Sequence, residues 1–251
     1  MHQILRTMLK RNIPNYITLG NLICGCIGIQ QLFAGNPILA SIFVLAAAFL
    51  DFFDGMAARA LKVSSPIGKD LDSLADVVSF GVLPGFMAYW LMARPAISCV
   101  SDKEVMISAG LMLPAAFAFL IPAFSAFRLA KFNHDTRQTE SFIGMPTPAN
   151  ALFWSGMMWL QADGYLTATS LQIWIYLFLV GLTCYLLIAE IPMFSFKMKH
   201  LSWKGNELRY IFIAICIPLL IIFKLAALAP VVLLFVLVSI INNKGFGVKT
   251  L

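Results

Sequence analysis

The chain has 251 residues, of which 60% are hydrophobic and only 12% are charged, and its mean hydropathy is +0.85. So apolar a composition excludes a soluble domain and indicates a polytopic membrane protein. We assign the net charge of +6 to loops that face anionic lipid headgroups, so we expect membrane lipids as partners and no nucleic acid.

Eight apolar runs have about the length that crosses a bilayer, and they predict an all-α protein of about eight transmembrane helices. These runs cover residues 14–34, 38–61, 71–93, 105–131, 148–162, 169–190, 208–226 and 228–243. The basic segment 2–12 precedes a run too long for a cleaved signal peptide, and it could form a short helix on the membrane surface. If the N-terminus is cytoplasmic, most of the 18 Lys and Arg residues fall on the cytoplasmic side, which predicts that both termini are cytoplasmic.

The second and third runs flank a segment, 51–76, that holds five of the 12 acidic residues. Asp51 and Asp54 are three residues apart and Asp72 and Asp76 are four apart, so on helices each pair projects from one face. The Ser-Ser-Pro break between the pairs predicts a hairpin of two helices that brings the four carboxylates together. Because four unpaired carboxylates would repel one another, a divalent cation is their expected partner.

This acidic cluster is expected below the cytoplasmic membrane surface. Asp51 comes thirteen residues after Ile38, which is about 20 Å of helical rise within a hydrocarbon core about 30 Å thick. A carboxylate at such depth costs at least about 2.5–3.5 kcal/mol, so several together indicate a function. The alternative is that Asp51 and Asp54 are helix-end residues in water and that Asp70 or Asp72 is a helix N-cap.

The spacing of the fixed residues resembles the signature of the CDP-alcohol phosphatidyltransferase family. The segment reads Asp51-x2-Asp54-Gly55-x2-Ala58-Arg59-x8-Gly68-x3-Asp72-x3-Asp76. The resemblance implies a six-helix membrane core, often homodimeric, that transfers a phosphatidyl-type group from a CDP-linked lipid to an alcohol at a cytoplasmic site. On this basis residues 1–190 form the catalytic membrane core, and residues 191–251 add a basic loop and two C-terminal transmembrane helices to the same domain.

The resemblance also implies roles for the signature residues. It places Mg2+ or Mn2+ on four carboxylates and makes the last of them the general base: the metal ligands are Asp51, Asp54, Asp72 and Asp76, and the base is Asp76. It assigns nucleotide and pyrophosphate binding to Asp54, Gly55, Ala58, Arg59 and Gly68. Arg59 could instead be a snorkelling membrane anchor, and Gly55 could serve helix packing.

The first predicted helix carries three polar residues on one face. Asn15, Thr18 and Asn21 follow one another at three-residue spacing, so they share a helical face near the cytoplasmic end. We expect Asn15 and Thr18 to line the nucleotide pocket, although these side chains could also hydrogen-bond between helices.

Three further stretches resemble the integral-membrane phosphatidylserine synthases of this family. They are IPNYITLGNLICG at 13–25, LDSLADVVSFGVLPG at 71–85, and FRLAKFN followed by FIGMPTPANA within 127–151. The resemblance implies CDP-diacylglycerol and L-serine as substrates and makes four side chains candidates for serine binding. These are Arg128 and Lys131 for the carboxylate, and Ser79 and Asn133 as hydrogen-bonding groups. Lys131 stands where the family pattern has Arg, and basic residues at a helix end can also be simple topology anchors.

Two other functions remain open from the sequence. A sister enzyme of the same family would use glycerol phosphate or an inositol phosphate as the acceptor. A divalent-metal transporter would also place acids on facing membrane helices, but its acids would line a route across the membrane and would not cluster at one face.

Overall fold

A computed structural model describes residues 2–63, 65–98, 113–135, 143–166, 172–193, 202–203 and 206–245. Within these ranges the regular elements are helices, and the only extended pairing is an isolated bridge between Ile143 and Pro192. The prediction of an all-α fold is therefore confirmed.

Nine α-helices follow one another along the described chain. They are α1 His2–Phe33, α2 Pro37–Leu61, α3 Pro66–Asp76, α4 Leu83–Ser98, α5 Leu120–His134, α6 Thr147–Ala162, α7 Gln172–Ile188, α8 Glu207–Phe223 and α9 Leu228–Gly245. A π-helical turn, Val77–Val82, joins α3 to α4 without a break, and 3-10 turns at Ala116–Phe119 and Lys224–Ala227 precede α5 and α9.

Five helical stretches of the described chain are long and apolar enough to cross a membrane, which confirms a polytopic membrane protein. They are Asn12–Phe33, Pro37–Leu61, Pro66–Ala93, Leu113–His134 and Glu207–Asn242. In addition to these five stretches, α7 is an apolar helix of shorter length. The two predicted C-terminal spans, 208–226 and 228–243, correspond to α8 and α9, which lie in one apolar stretch, Glu207–Asn242, and are separated by the 3-10 turn that begins at Lys224, where φ is +50°. The beginnings of the predicted spans 105–131 and 169–190, at 105–112 and 169–171, lie outside the described residues.

The N-terminal segment does not form a separate surface helix. Residues 2–12 are the first turns of α1, which continues to Phe33 with Pro14 inside it. The carbonyl of Pro14 lies 3.0 Å from the hydroxyl oxygen of Thr18, one turn further along α1.

A short turn separates α2 from α3, as the sequence predicts, and the Ser65-Pro66 part of the break starts the second helix. After Leu61, Lys62 adopts the left-handed conformation with φ of 52°, which stops α2. Ser65 then caps α3 by accepting the backbone N–H of Gly68 at 2.9 Å, and Pro66 occupies the first turn. The turn between α2 and α3 is therefore short, and it brings Asp51 of α2 close to Asp72 and Asp76 of α3.

The π-helical turn lies at the centre of the bundle, where it packs against α1, α5 and α6. Glycine allows the close approach on two sides. A Cβ on Gly25 of α1 would lie 2.5 Å from the hydroxyl oxygen of Ser79, and one on Gly81 within the turn would lie 3.0 Å from Cβ of Ser125 on α5. The backbone that follows Asp76 is consequently enclosed by neighbouring helices.

The C-terminal helix α9 packs against α6 at one close contact. A Cβ added to Gly156 would collide with the backbone nitrogen of Ala229, which is itself buried. The small residues Ala226 and Ala227 at the preceding turn are also fully buried. The C-terminal residues therefore cover α6 as part of the same bundle.

Candidate active site

The hairpin of α2 and α3 brings three carboxylates together. Asp51, Asp72 and Asp76 each offer one oxygen, and these oxygens all lie within 4.8 Å of one another. We call these three residues the carboxylate trio. Asp54 is buried one turn beyond Asp51, outside the trio. Its Oδ2 instead accepts a hydrogen bond of 2.6 Å from the hydroxyl of Thr18 on α1.

The trio suits a divalent cation of the hard, oxygen-preferring kind. Its three donors are all carboxylate oxygens, which are the ligands that Mg2+ and Mn2+ favour. Three negative charges so close together, within a membrane-embedded helical bundle, repel one another strongly unless a cation neutralises them. The residues present therefore fit the metal site that the sequence predicts, with Asp54 adjacent to it.

Asp76 is the most enclosed member of the trio, with 8% of its surface exposed. The amide Nδ2 of Asn21 on α1 donates a hydrogen bond of 3.2 Å to its Oδ1. Arg128 on α5 is also buried and lies close enough for its positive charge to act on Asp76. The α3 helix ends at Asp76, and the π-helical turn begins at the next residue.

A cavity of about 250 Å³ opens beside the trio, between α1 and the α2–α3 hairpin. Its lining residues are Pro14, Asn15, Thr18, Asp54, Gly55, Ala58, Val63, Ser65, Gly68, Lys69 and Asp72. Six of the seven residues predicted to bind the nucleotide are among them. Arg59 is the exception, because its side chain is exposed and does not line the cavity. Asp72 belongs both to the cavity wall and to the trio, so the two features form one site.

The two signature glycines contribute to the cavity in different ways. A Cβ on Gly68 would lie 3.0 Å from the Ser65 hydroxyl and 3.1 Å from Oδ1 of Asn15, so this glycine lets α1 approach α3 closely. A Cβ on Gly55 would have nothing within 4 Å. Gly55 therefore keeps open space at the cavity wall, as expected where a ligand approaches the backbone.

Four lining residues were not predicted from the sequence, namely Pro14, Val63, Ser65 and Lys69, and the last two are polar. Ser65 caps α3, and Lys69 extends its ammonium to the backbone carbonyl of Asn133 at 2.9 Å. The sequence offered one indication for Lys69, its position directly after the signature residue Gly68. Its hydrogen-bond partner, Asn133 on α5, is 64 residues away. Its placement could therefore not be read from local spacing.

The basic residues on α5 lie in two different environments. The guanidinium carbon of Arg128 lies 5.7 Å from the ring centroid of Phe132, and its Nε has no hydrogen-bond partner within the described part of the chain. The Nζ of Lys131 lies 3.0 Å from Oε1 of Glu190 in an exposed ion pair. Both basic residues line a second, much smaller cavity of about 10 Å³ with Ile143. Serine binding by Arg128 and Lys131 stays a prediction.

The hydrogen-bonding candidates on α5 and the π-helical turn already connect helices. Asn133 donates from Nδ2 to the hydroxyl of Ser73 at 2.7 Å, which ties α5 to α3. Ser79 is fully buried, and its hydroxyl donates to the backbone carbonyl of Asn21 at 2.9 Å. Contact of Asn133 and Ser79 with serine likewise stays a prediction.

Comparison with known proteins places this site in a family. Residues 11–185 match the sequence model of the CDP-alcohol phosphatidyltransferases. A CDP-diacylglycerol–serine O-phosphatidyltransferase of Bacillus subtilis (strain 168) is 41% identical over 138 residues, which cover 54% of this chain and 69% of the relative.

More distant relatives match a larger share of the chain. The enzyme of the same name from Mycobacterium leprae (strain TN) is 32% identical over 230 residues, or 90% of this chain and 70% of the relative. That of Methanocaldococcus jannaschii is 31% identical over 208 residues, or 82% of this chain and 83% of the relative. The match therefore extends from the signature hairpin into the helices that enclose it.

Proposed function

This chain belongs to the CDP-alcohol phosphatidyltransferase family, and we propose that it transfers the phosphatidyl group of CDP-diacylglycerol to the hydroxyl of L-serine, giving phosphatidylserine and CMP. The observation that carries the proposal is the position of Asp72. This residue lies in the wall of the cavity of about 250 Å³ and in the carboxylate trio. A nucleotide lipid held in the cavity would present its phosphates to the carboxylates.

The cavity binds the nucleotide and pyrophosphate in this proposal. Asn15 and Thr18 offer polar groups from α1, and Gly55 leaves room for the ligand against α2. The hydrogen bond from Thr18 fixes one oxygen of Asp54 at 2.6 Å, so this carboxylate has a defined orientation at the cavity wall. Lys69 brings positive charge to the lining. We assign further charge neutralisation to Arg59, which follows the lining residue Ala58 on α2 and has its side chain exposed outside the cavity.

The metal in this proposal is Mg2+ or Mn2+, held by Asp51, Asp72 and Asp76 with Asp54 beside them. A bound divalent ion supplies Lewis-acid stabilisation of the negative charge on the phosphate oxygens. The carboxylate trio fits this role because three hard oxygen donors lie within 4.8 Å of one another.

The protein supplies the base. Asp76 takes the proton from the serine hydroxyl, the serine oxygen forms a bond to the phosphorus that carries diacylglycerol, and the bond from that phosphorus to the CMP oxygen breaks. Asp76 is suited to this step because it is largely enclosed and its carboxylate is held by Asn21. Arg128 is the leading candidate for the serine carboxylate, because it is buried near Asp76 and its Nε is free of partners in the described chain.

The proposal includes an orientation in the membrane. Both termini and the opening of the cavity face the cytoplasm, so serine enters from water while the lipid tails of CDP-diacylglycerol stay in the bilayer. The basic loops that the sequence places on this side support the orientation. The cytoplasmic membrane as location and a homodimeric assembly are further parts of the proposal, which protease protection and cross-linking would test.

The deciding experiment uses purified protein in micelles with CDP-diacylglycerol, labelled L-serine and Mn2+. We expect labelled phosphatidylserine and CMP in equal amounts, and loss of both when a chelator is added. The matched reaction replaces serine with glycerol 3-phosphate or an inositol phosphate. CMP release with one of those acceptors alone would overturn the serine assignment, and no CMP release with any acceptor from folded protein would overturn the proposed enzyme.

A further inference from the structure

Asn21 makes two contacts with the segment that carries the proposed base. Its amide Nδ2 donates to Oδ1 of Asp76 at 3.2 Å, and its backbone carbonyl accepts the hydroxyl of Ser79 at 2.9 Å. Both partners are more than fifty residues away in the sequence. One residue of α1 therefore holds the end of α3 and the π-helical turn that follows it.

The packing around Asn21 leaves little freedom for these contacts. Asn21 and Ser79 have no exposed surface, and Asp76 has 8%. The missing Cβ of Gly25, one turn further along α1, lets Cα of Ser79 approach to within 2.9 Å of the position that a Cβ would occupy. The orientation of the Asn21 amide toward Asp76 is thus set by the backbone approach of α1 to the π-helical turn.

The amide oxygen of Asn21 indicates that the hydrogen bond from its nitrogen to Asp76 has a function beyond stability. Oδ1 of Asn21 is buried and has no hydrogen-bond partner within the described part of the chain. A buried amide with one unsatisfied atom is a poor way to stabilise a helical bundle, since an apolar side chain of the same size would avoid that penalty. The presence of an amide at this position is better explained by the hydrogen bond that its nitrogen donates to the Asp76 carboxylate.

We propose that Asn21 is a positioning residue that fixes the Asp76 carboxylate for the transfer reaction. Its hydrogen bond to Oδ1 holds the carboxylate plane, so that the second oxygen is directed toward the acceptor alcohol and the other members of the trio. Asn21 itself touches no reacting atom in this proposal. The inference rests on the proposed function, because it is stated for the base of that reaction.

The test replaces the amide with an apolar side chain of nearly the same shape, Asn21→Leu, and compares it with Gln30→Ala. Gln30 is an exposed amide on the same helix, far from the trio along α1, so its removal should change nothing. For Asn21→Leu we expect kcat to fall about 10–100-fold, as is typical when a partner that orients a functional group is lost. The KM values for serine and CDP-diacylglycerol and the thermal unfolding temperature should stay close to those of the wild type.

A second readout does not depend on turnover. Because Asp76 also belongs to the trio, a misaligned carboxylate should weaken the binding of Mn2+ alone, measured by electron paramagnetic resonance, by several fold in Asn21→Leu and not in Gln30→Ala. If the wild type fails to use serine but the two variants still differ in Mn2+ affinity, the positioning role stands and the proposed function falls.

Three outcomes would overturn the inference itself. One is wild-type kcat and Mn2+ affinity in Asn21→Leu. Another is a loss of kcat that only parallels a lower unfolding temperature, which would assign Asn21 a structural role. The third is failure of both Asn21→Leu and the smaller Asn21→Ala to fold, which would show the same.

Discussion

Replacing Gly55 with alanine should raise stability and impair substrate binding at the same time. Gly55 lies inside α2, and a Cβ built there has nothing within 4 Å. Glycine in a helix interior is about 0.8–1.0 kcal/mol less favourable than alanine. Gly55→Ala should therefore stabilise the fold by about that amount, which shifts the unfolding temperature up by about 2–4 °C in a protein of this size.

The same methyl group should reduce affinity for CDP-diacylglycerol. Gly55 lines the cavity of about 250 Å³ assigned to the nucleotide, so the added methyl occupies space that the ligand needs. Forcing a methyl group into a filled site costs about 1–3 kcal/mol. At about 1.4 kcal/mol per factor of ten, KM for CDP-diacylglycerol should rise about 5- to 150-fold. The KM for serine should change little.

The matched control is Gly181→Ala. Gly181 lies inside α7, is exposed, and also has nothing within 4 Å of its Cβ position, but it is remote from the cavity. It should show the same gain in unfolding temperature with unchanged kinetics. Thermal unfolding in detergent and initial rates of CMP release measure both effects. An unchanged KM in a stable Gly55→Ala protein would refute the assignment of the cavity to the nucleotide, and a lower unfolding temperature would refute the open space at Gly55.

Other changes should separate chemistry from structure. Asp76→Asn should lower kcat about 10²–10⁴-fold, whereas Asp70→Asn, on the exposed face of the same helix, should leave kcat unchanged. Equal rates of CMP release by the two variants would exclude Asp76 as the base. Gly156→Ala should lower the unfolding temperature through a loss of about 1–3 kcal/mol, because its methyl collides with Ala229; a normal melting curve would contradict this packing. Mn2+ at about 100 times its dissociation constant should stabilise the wild-type protein by about 2.7 kcal/mol. Asp72→Asn should reduce that stabilisation, and a variant stabilised as much as the wild type would contradict a role of Asp72 in metal binding.

Local rules predicted the helical hairpin that carries the site. The spacing of three and four residues places each acidic pair on one helical face, and Ser65 and Pro66 fix where the second helix of the hairpin begins. Both features depend on residues within a few positions of each other. The same is true of most membrane spans, since length and hydropathy are properties of a continuous segment.

Contacts between distant helices could not be predicted in this way. The sequence placed Asn15, Thr18 and Asn21 on one face but did not distinguish their partners. The structure directs Thr18 to Asp54 and Asn21 to Asp76. That choice depends on the position of α1 along the hairpin, where glycines of α1 allow close packing: a Cβ on Gly20 would lie 3.3 Å from Cδ1 of Leu50.

The sequence by itself determined the class of the protein, the acidic signature and the hairpin that presents it, because composition, periodicity and helix caps act over one or two helical turns. Only the tertiary structure decided which three carboxylates converge, that Arg59 stays outside the cavity while Lys69 lines it, and that Asn21 supports the proposed base. Those outcomes depend on how helices approach one another across the bundle. Such approach distances are fixed by the fit of many side chains at once, which no short stretch of sequence specifies.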